Sequence, residues 1–276
     1  MAAALRSRLR GWADIHWSAT AGSTNTELLA QTRAGATPPR LLGTHQQHQG
    51  RGRSNRNFQT AAGDALMFSC AFEVALPIGA LPTLSVLLGL VACETLASRL
   101  KPGHQLRLKW PNDLQWGDAK LAGILTESAA APRGGNPRLV VGIGINLRGG
   151  TALGKALGRA VADWQTITTE HPTLASDTPL DLCVAIAGAW RAELAGTPAA
   201  WCAERGLPTL PARFAAHDAL AGRVVTVQDQ GKVLMEGVAA GVAEDGRLQL
   251  RTITGLQTVT VGDISVRPEA ASPPAA

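Results

Sequence analysis

The run Arg138-Leu139-Val140-Val141-Gly142-Ile143-Gly144-Ile145-Asn146-Leu147 restricts the fold more than any other stretch. A strand with one wet face alternates apolar and polar residues. This one does not, so it reads as a central strand covered on both sides. Its glycines imply that another group packs closely against it. Other strands can be placed around it. Arg40 to Gln46 and Ala65 to Val74 read as strands, and Leu106 to Trp110 alternates like a half-buried strand stopped by Pro111. Leu114 to Trp116 and Lys120 to Glu127 form the arms of a short hairpin about Gly117-Asp118, and Ala129 to Pro137 is a small-residue loop.

Helical spacing fills the intervals. Thr24 and Glu27 stand at capping-box spacing before Leu28 and Leu29, and Leu81 to Leu100 is apolar at helical period up to Pro102-Gly103. The segment 151–216 is helical, clearest from Leu180 to Leu194, with Pro198, Pro208 and Pro211 breaking its later part. From Ala221 the pattern changes to short strands, Arg223 to Gln228, Lys232 to Val242, Arg247 to Thr252 and Gln257 to Val261, which suits a small barrel. The class is therefore α+β, strands and helices over 1–217 followed by a β unit over 218–268. The Ala/Pro-rich tail 269–276 reads as disordered.

With 276 residues, 45% of them hydrophobic, the chain can bury a sizeable core. No apolar run reaches the ~18 residues of a membrane span, and charges stand where a signal peptide needs an apolar stretch, so a cytoplasmic protein is expected. Cys70, Cys93, Cys183 and Cys202 form no C-x-x-C pair, which argues against a disulfide framework or a zinc site. A net charge of +5 favours acidic partners without choosing among nucleotide, nucleic acid and an acidic protein.

The loop Gly50-Arg51-Gly52-Arg53-Ser54-Asn55-Arg56 puts three guanidinium groups among glycines that let a ligand approach the backbone. It lacks the Gly-Lys-Ser/Thr of a triphosphate loop, and Asn55 occupies the place of a third dinucleotide-fingerprint glycine. Such a loop reads equally as a small-molecule clamp and as a solvated nucleic-acid contact. Other polar groups fall at strand ends and turns: Ser23-Thr24-Asn25, Gln47, Lys109 to Asp113, Lys120 and Asn146. Capping, a cross-turn ion pair or an exposed hairpin lysine would each account for one of them. As a set they suit acyl activation by a nucleotide, in which cations hold a carboxylate and phosphates that repel each other.

In order and spacing, Ser23-Thr24-Asn25, Gly50-Arg51-Gly52-Arg53, Lys109-Trp110-Pro111-Asn112-Asp113-Leu114, Lys120-Leu121-Ala122-Gly123-Ile124-Leu125 and Gly142-Ile143-Gly144-Ile145-Asn146 resemble the biotin protein ligases. Gly262-Asp263-Ile264-Ser265-Val266 resembles that family's C-terminal domain. The resemblance implies a catalytic domain with a mixed sheet and helices, related to class II aminoacyl-tRNA synthetases, and an SH3-like barrel. It also implies a two-step reaction of biotin and ATP, with Mg2+, that ends on a lysine of a biotin carboxyl carrier protein. By matched position, Ser23, Thr24, Asn25 and Gln47 contact biotin, while Arg51, Gly52 and Arg53 close over its carboxylate and the adenylate phosphate. Lys120 binds the carboxyl or phosphate oxygen, and Asp113 is base or orienter for the acceptor lysine. Arg56, Lys109, Asn112 and Asn146 lie on the adenylate side, and no protein-held metal is expected.

The chain has Ser54-Asn55-Arg56 and Phe58 where the family carries Arg-Gly-Arg and then Trp. Trp164 reads either as an adenine-stacking ring or as a packed helix residue. Too few residues precede Ser23 for a winged helix-turn-helix, so DNA binding is not expected, and a homodimer is left open. The alternatives are a lipoate or octanoyl ligase or transferase of the same architecture, and a nucleic-acid-binding module. The Lys-Trp-Pro-Asn-Asp run leans towards biotin.

Overall fold

The computed structural model describes residues 1–52, 61–129, 135–171, 173–174, 176–229, 232–260 and 264–268. Its larger sheet has seven strands: β1 (Asp14–Ala21), β2 (Arg40–Gln47), β3 (Ala65–Glu73), β4 (Leu106–Lys109), β5 (Asp113–Trp116), β6 (Ala119–Ala129) and β7 (Arg138–Asn146). They lie in the order β1-β2-β3-β7-β6-β5-β4, so the glycine-containing apolar strand β7 is the central one. β1 and β2 run parallel, and every other neighbouring pair is antiparallel. Ala65–Glu73 pairs with Arg138–Asn146 along its whole length.

Successive strand residues face opposite ways, and the two faces are covered differently. Helix α2 (Thr24–Arg33) lies over one, where Leu28 and Leu29 pack with Leu42, Ala71, Ala129 and Val140. The adjacent residues Leu41, Cys70 and Val141 turn to the other face and join the main core with α3 (Leu81–Ala97) and α6 (Pro179–Ala200). Phe68 and Trp190 meet there, both 0% exposed, with ring centroids 5.8 Å apart, and Trp190 Nε1 donates to Leu88 O at 2.9 Å. Full burial of side chains of this size contributes about 1.5–3 kcal/mol each.

The differences from the sequence reading are local. Helix α1 (Ala2–Arg8) buries only Leu5 among its residues and has no period to detect, whereas β1 alternates polar and apolar residues from Asp14 to Ala21, a strand signal that the sequence reading did not include. Ser23, not Thr24, caps α2: its hydroxyl accepts from Thr26 N at 3.4 Å, while Glu27 Oε1 accepts from Gly22 N at 2.7 Å. Pro198 does not break α6, which continues to Ala200. A proline in the last turn costs a single main-chain bond, and Thr197 Oγ1 meanwhile donates to Glu193 O at 2.8 Å. The remaining helices are α4 (Gly150–Leu157), α5 (Trp164–Glu170) and α7 (Leu210–Ala215).

The second sheet is small and wholly antiparallel, in the order β11-β10-β9-β8-β12. Its strands are β8 (Val224–Asp229), β9 (Lys232–Val242), β10 (Leu248–Thr252), β11 (Gly255–Val259) and β12 (Ile264–Pro268), an arrangement consistent with an SH3-like domain. The strand β12, missed by periodicity, pairs with β8; residues 269–276, read as a disordered tail, lie outside the described residues. The β9–β10 turn reaches the larger unit. Trp110 Nε1 donates to Gly246 O at 2.9 Å and Thr83 Oγ1 donates to Asp245 O at 2.6 Å. Gly246 has φ +79°, and a side-chain carbon on it would sit 3.0 Å from Thr83 Cα, so both backbone conformation and space call for glycine.

Candidate active site

On the α2 side of the sheet, glycines bare a strip of backbone. Gly123 on β6 faces Gly144 on β7, and Gly142 lies between Leu125 and Ser69 in register. The strip has polar groups at both ends. A side-chain carbon at Gly142 would lie 2.5 Å from Asn25 Oδ1 and 2.7 Å from Ser69 Oγ; one at Gly123 would lie 3.1 Å from Lys120 Nζ. Any larger residue at Gly142 would push the polar groups of α2 away from the sheet.

One end is neutral. Because Ser23 takes the capping role, Thr24 enters the first turn with its side chain available for tertiary contacts. Thr24 N donates to Gln47 Oε1 at 2.7 Å, and Thr24 Oγ1 lies 2.8 Å from Ser69 Oγ and 3.2 Å from Gln47 Oε1. Gln47 Nε2 points to Met67 Sδ at 3.4 Å. Ser23, Thr24 and Asn25 are all buried. Asn25 Nδ2 donates to Glu127 Oε2 at 2.6 Å, and its buried Oδ1 has no hydrogen-bond partner.

The other end is charged. Lys120 Nζ lies 2.6 Å from Asp113 Oδ1, and their side chains are 23% and 30% exposed, so the pair is sheltered yet reachable. The Lys120 main chain is pinned: its N–H donates to Ala160 O at 3.1 Å, and its carbonyl accepts from Ala162 N at 3.0 Å and Asn146 Nδ2 at 3.2 Å. Asn146 Nδ2 also meets Ala162 O at 3.2 Å. Asn112 Nδ2 donates to Ile124 O at 2.6 Å, and Ile124 N returns a bond to Asn112 O at 3.0 Å. Both asparagine amides thus brace the backbone around Lys120 and Asp113. Lys109 ends β4 opposite Asp113.

The arginine loop begins at the neutral end. Arg51 Nη1 donates to Thr26 Oγ1 at 3.3 Å and Arg51 Nη2 lies 3.8 Å from Glu127 Oε1, with Gly52 next in the chain. Arg53, Ser54, Asn55, Arg56 and Phe58 lie outside the described residues. Trp164, 5% exposed, is a packed core residue at the start of α5. Cys70, Cys93 and Cys183 are buried free thiols whose pKa values burial pushes up, that of Cys93 to about 12, which suits inert core packing.

Ser69 and Glu127 were not singled out from the sequence. Period-two counting would have found them: Gly123, Leu125 and Glu127 share one face of β6, and Met67, Ser69 and Ala71 share one face of β3.

Residues 18–146 match the model of the Biotin/lipoate A/B protein ligase family, and residues 221–267 match that of the Biotin protein ligase C terminal domain. Fold and matches together define a protein ligase of the biotin and lipoate class. The biotin–(acetyl-CoA-carboxylase) ligase of Mycobacterium tuberculosis is 30% identical over 264 residues, covering 92% of this chain and 89% of that protein. The enzyme of the same name from Paracoccus denitrificans is 27% identical over 244 residues, covering 88% and 96%. The biotin protein ligase of Aquifex aeolicus, solved with biotin and ATP, shares the fold with a TM-score of 0.73 and 21% identity, covering 94% of this chain and all of that one. The chain belongs to the biotin protein ligases. Among the described residues, no helix is long and apolar enough to cross a membrane.

Proposed function

We propose that this enzyme activates biotin with ATP and transfers it to one lysine of a biotin carboxyl carrier protein of acetyl-CoA carboxylase or a related carboxylase. The observation that carries this reading is the strip of bare backbone with a hydroxyl and amide cluster at one end and the Lys120–Asp113 pair at the other. A neutral polar ring and an acidic tail fit such a strip in one direction.

In the first step a biotin carboxylate oxygen attacks the α-phosphorus, the bond to the β-phosphate oxygen breaks, and pyrophosphate leaves. Ser23, Thr24, Asn25 and Gln47 hold the ring. Lys120 lies between the carboxylate and the phosphate, two anions whose repulsion at ~4 Å amounts to about 4 kcal/mol at an effective dielectric of 20. Its ammonium offsets that charge where it develops. Arg51 and Gly52 flank the same anion, and the sequence motif assigns Arg53 and Arg56 there too. Lys109, Asn112 and Asn146 lie on the adenylate side, the two asparagines by holding the backbone under Lys120.

In the second step the carrier amine attacks the mixed anhydride carbonyl, the amide bond forms, AMP leaves and the amine loses a proton. A free lysine has a pKa of about 10.4 and is almost wholly protonated at neutral pH. Asp113 accepts that proton or orients the amine once Lys120 has turned to the substrate anion.

Among the described residues no group of three or more His, Cys, Asp or Glu could hold a metal ion. The donor set fits Mg2+ carried on the ATP phosphates and not in a protein cage, so Mg2+ would enter with its substrate and neutralise phosphate charge. We place the reaction in the cytoplasm, with 1–217 as catalytic unit and 218–268 as its support. The names of the relatives favour biotin over lipoate and over a nucleic-acid module.

The test is direct. Purified protein with ATP, Mg2+ and labelled biotin should release pyrophosphate and label a carrier domain. Label from lipoate or octanoyl donors in place of biotin would overturn the assignment.

A further inference from the structure

The Glu127 carboxylate touches both the helix and the loop that frame the neutral end of the strip. Its Oε2 accepts from Asn25 Nδ2 at 2.6 Å, and its Oε1 lies 3.8 Å from Arg51 Nη2. Arg51 Nη1 in turn donates to Thr26 Oγ1 at 3.3 Å, so β6, the first turn of α2 and the start of the arginine loop are tied through one side chain. Electrostatics alone would not put a carboxylate here. The site must hold a substrate carboxylate and a phosphate, and a third anion nearby opposes both. Its presence is accounted for if its charge is spent on orienting two donors.

Each arm has a distinct consequence. The Asn25 amide is a donor–acceptor plane pressed against Gly142, with its Oδ1 buried and without a partner. Among the described residues, the bond to Glu127 is what fixes which way that plane faces. The Arg51 guanidinium is 40% exposed, and a long exposed side chain is held in one rotamer only at an entropic cost. Thr26 and Glu127 each supply a contact to it.

We propose that Glu127 is a positioning residue of this ligase: it acts through Asn25 to set biotin binding and through Arg51 to retain the adenylate, without touching either. This rests on the biotin ligase reading above. The two arms can be separated, because a glutamine at this position keeps an oxygen to accept from Asn25 and loses the charge that attracts Arg51, whereas an alanine loses both.

The experiment measures biotin KM, kcat of pyrophosphate release, and dissociation of biotinyl-adenylate from enzyme–adenylate complexes, for wild type, E127Q and E127A. Thermal melting runs alongside as the check on folding. E127Q should keep biotin KM within about twofold of wild type and release the adenylate about three- to fivefold faster, the range for an exposed ion pair. E127A should add a rise of about tenfold in biotin KM, as for a lost hydrogen bond to a charged group. In both, kcat should change less than KM or release. If E127Q releases adenylate at the wild-type rate, or if both variants raise KM equally, the proposal is overturned. Wild-type enzyme that makes no biotinyl-adenylate would overturn the ligase reading, and this inference with it.

Discussion

Lys120 Nζ and Asp113 Oδ1 face one another at 2.6 Å across Gly123, which leaves the strip open directly beside them. In the proposed reaction each residue is the other's placeholder: substrate anion would displace the carboxylate from the ammonium and release the carboxylate for the incoming amine. Loss of the two should therefore differ by step. Lys120→Ala should slow adenylate formation by at least about 100-fold, the scale for removing one transition-state donor. Single-turnover pyrophosphate release measures this.

Asp113→Asn keeps size and hydrogen bonding but removes the charge. Transfer from preformed biotinyl-adenylate to carrier should fall by about 100-fold or more, the scale for a general base, with a smaller loss in adenylate formation. The ratio of the two rates, measured separately, is the readout, and equal losses in both steps would remove Asp113 from the proton transfer.

Gly142→Ala tests whether the strip must be bare. The added carbon would meet Asn25 Oδ1 and Ser69 Oγ well inside contact distance, so α2 has to shift from the sheet. Overpacking of this kind costs about 1–3 kcal/mol, seen as a lower urea midpoint, and biotin KM should rise with it. Phe68→Ala, on the opposite face, should cost about 3–5 kcal/mol and leave biotin KM of the folded fraction near wild type.

The pH dependence of stability has an assignable part. Burial lowers the pKa of His217, with Arg107 and Arg213 adding to the effect against Glu94, and burial with Arg107 and nearby histidines lowers that of His104. A histidine whose folded pKa lies below its unfolded value binds fewer protons when folded. Its contribution is complete above the unfolded pKa near 6.5 and is lost as pH falls below it towards the folded value. Urea midpoints should fall between about pH 7 and pH 5, and His217→Asn should flatten that slope.

Much of this was legible beforehand, and where it was not the reasons are physical. The β7 run could be placed at the sheet centre because only double burial tolerates so few polar residues. The long α3 and the change to short strands near Ala221 followed from period alone, whereas the mixed sheet followed from the family resemblance. β1 did carry a signal, Asp14, His16, Ser18 and Thr20 alternating with Ile15, Trp17, Ala19 and Ala21, and with only Ile15 and Ala21 buried it is a lightly covered edge strand. Thr24 was read as a cap because its spacing to Glu27 is right, yet Ser23 one residue earlier has the same chemistry. Which of the two caps is decided by Gln47 and Ser69, distant partners of Thr24. Period-two counting puts Glu127 on the Gly123 face of its strand, and what it leaves out is the helix above that face, without which the carboxylate looks like a wet position.

The bond from Trp110 to Gly246 bears on the order in which this protein can be made. Trp110 belongs to the run that carries Lys109 and Asp113, and its indole is satisfied by a carbonyl 136 positions further along the chain. A nascent chain that has emerged only as far as Leu220 already holds every residue named in the chemistry, but not the turn against which that run is fixed. Activity should therefore appear late in synthesis, when the last strands leave the ribosome and not when the last reactive side chain does.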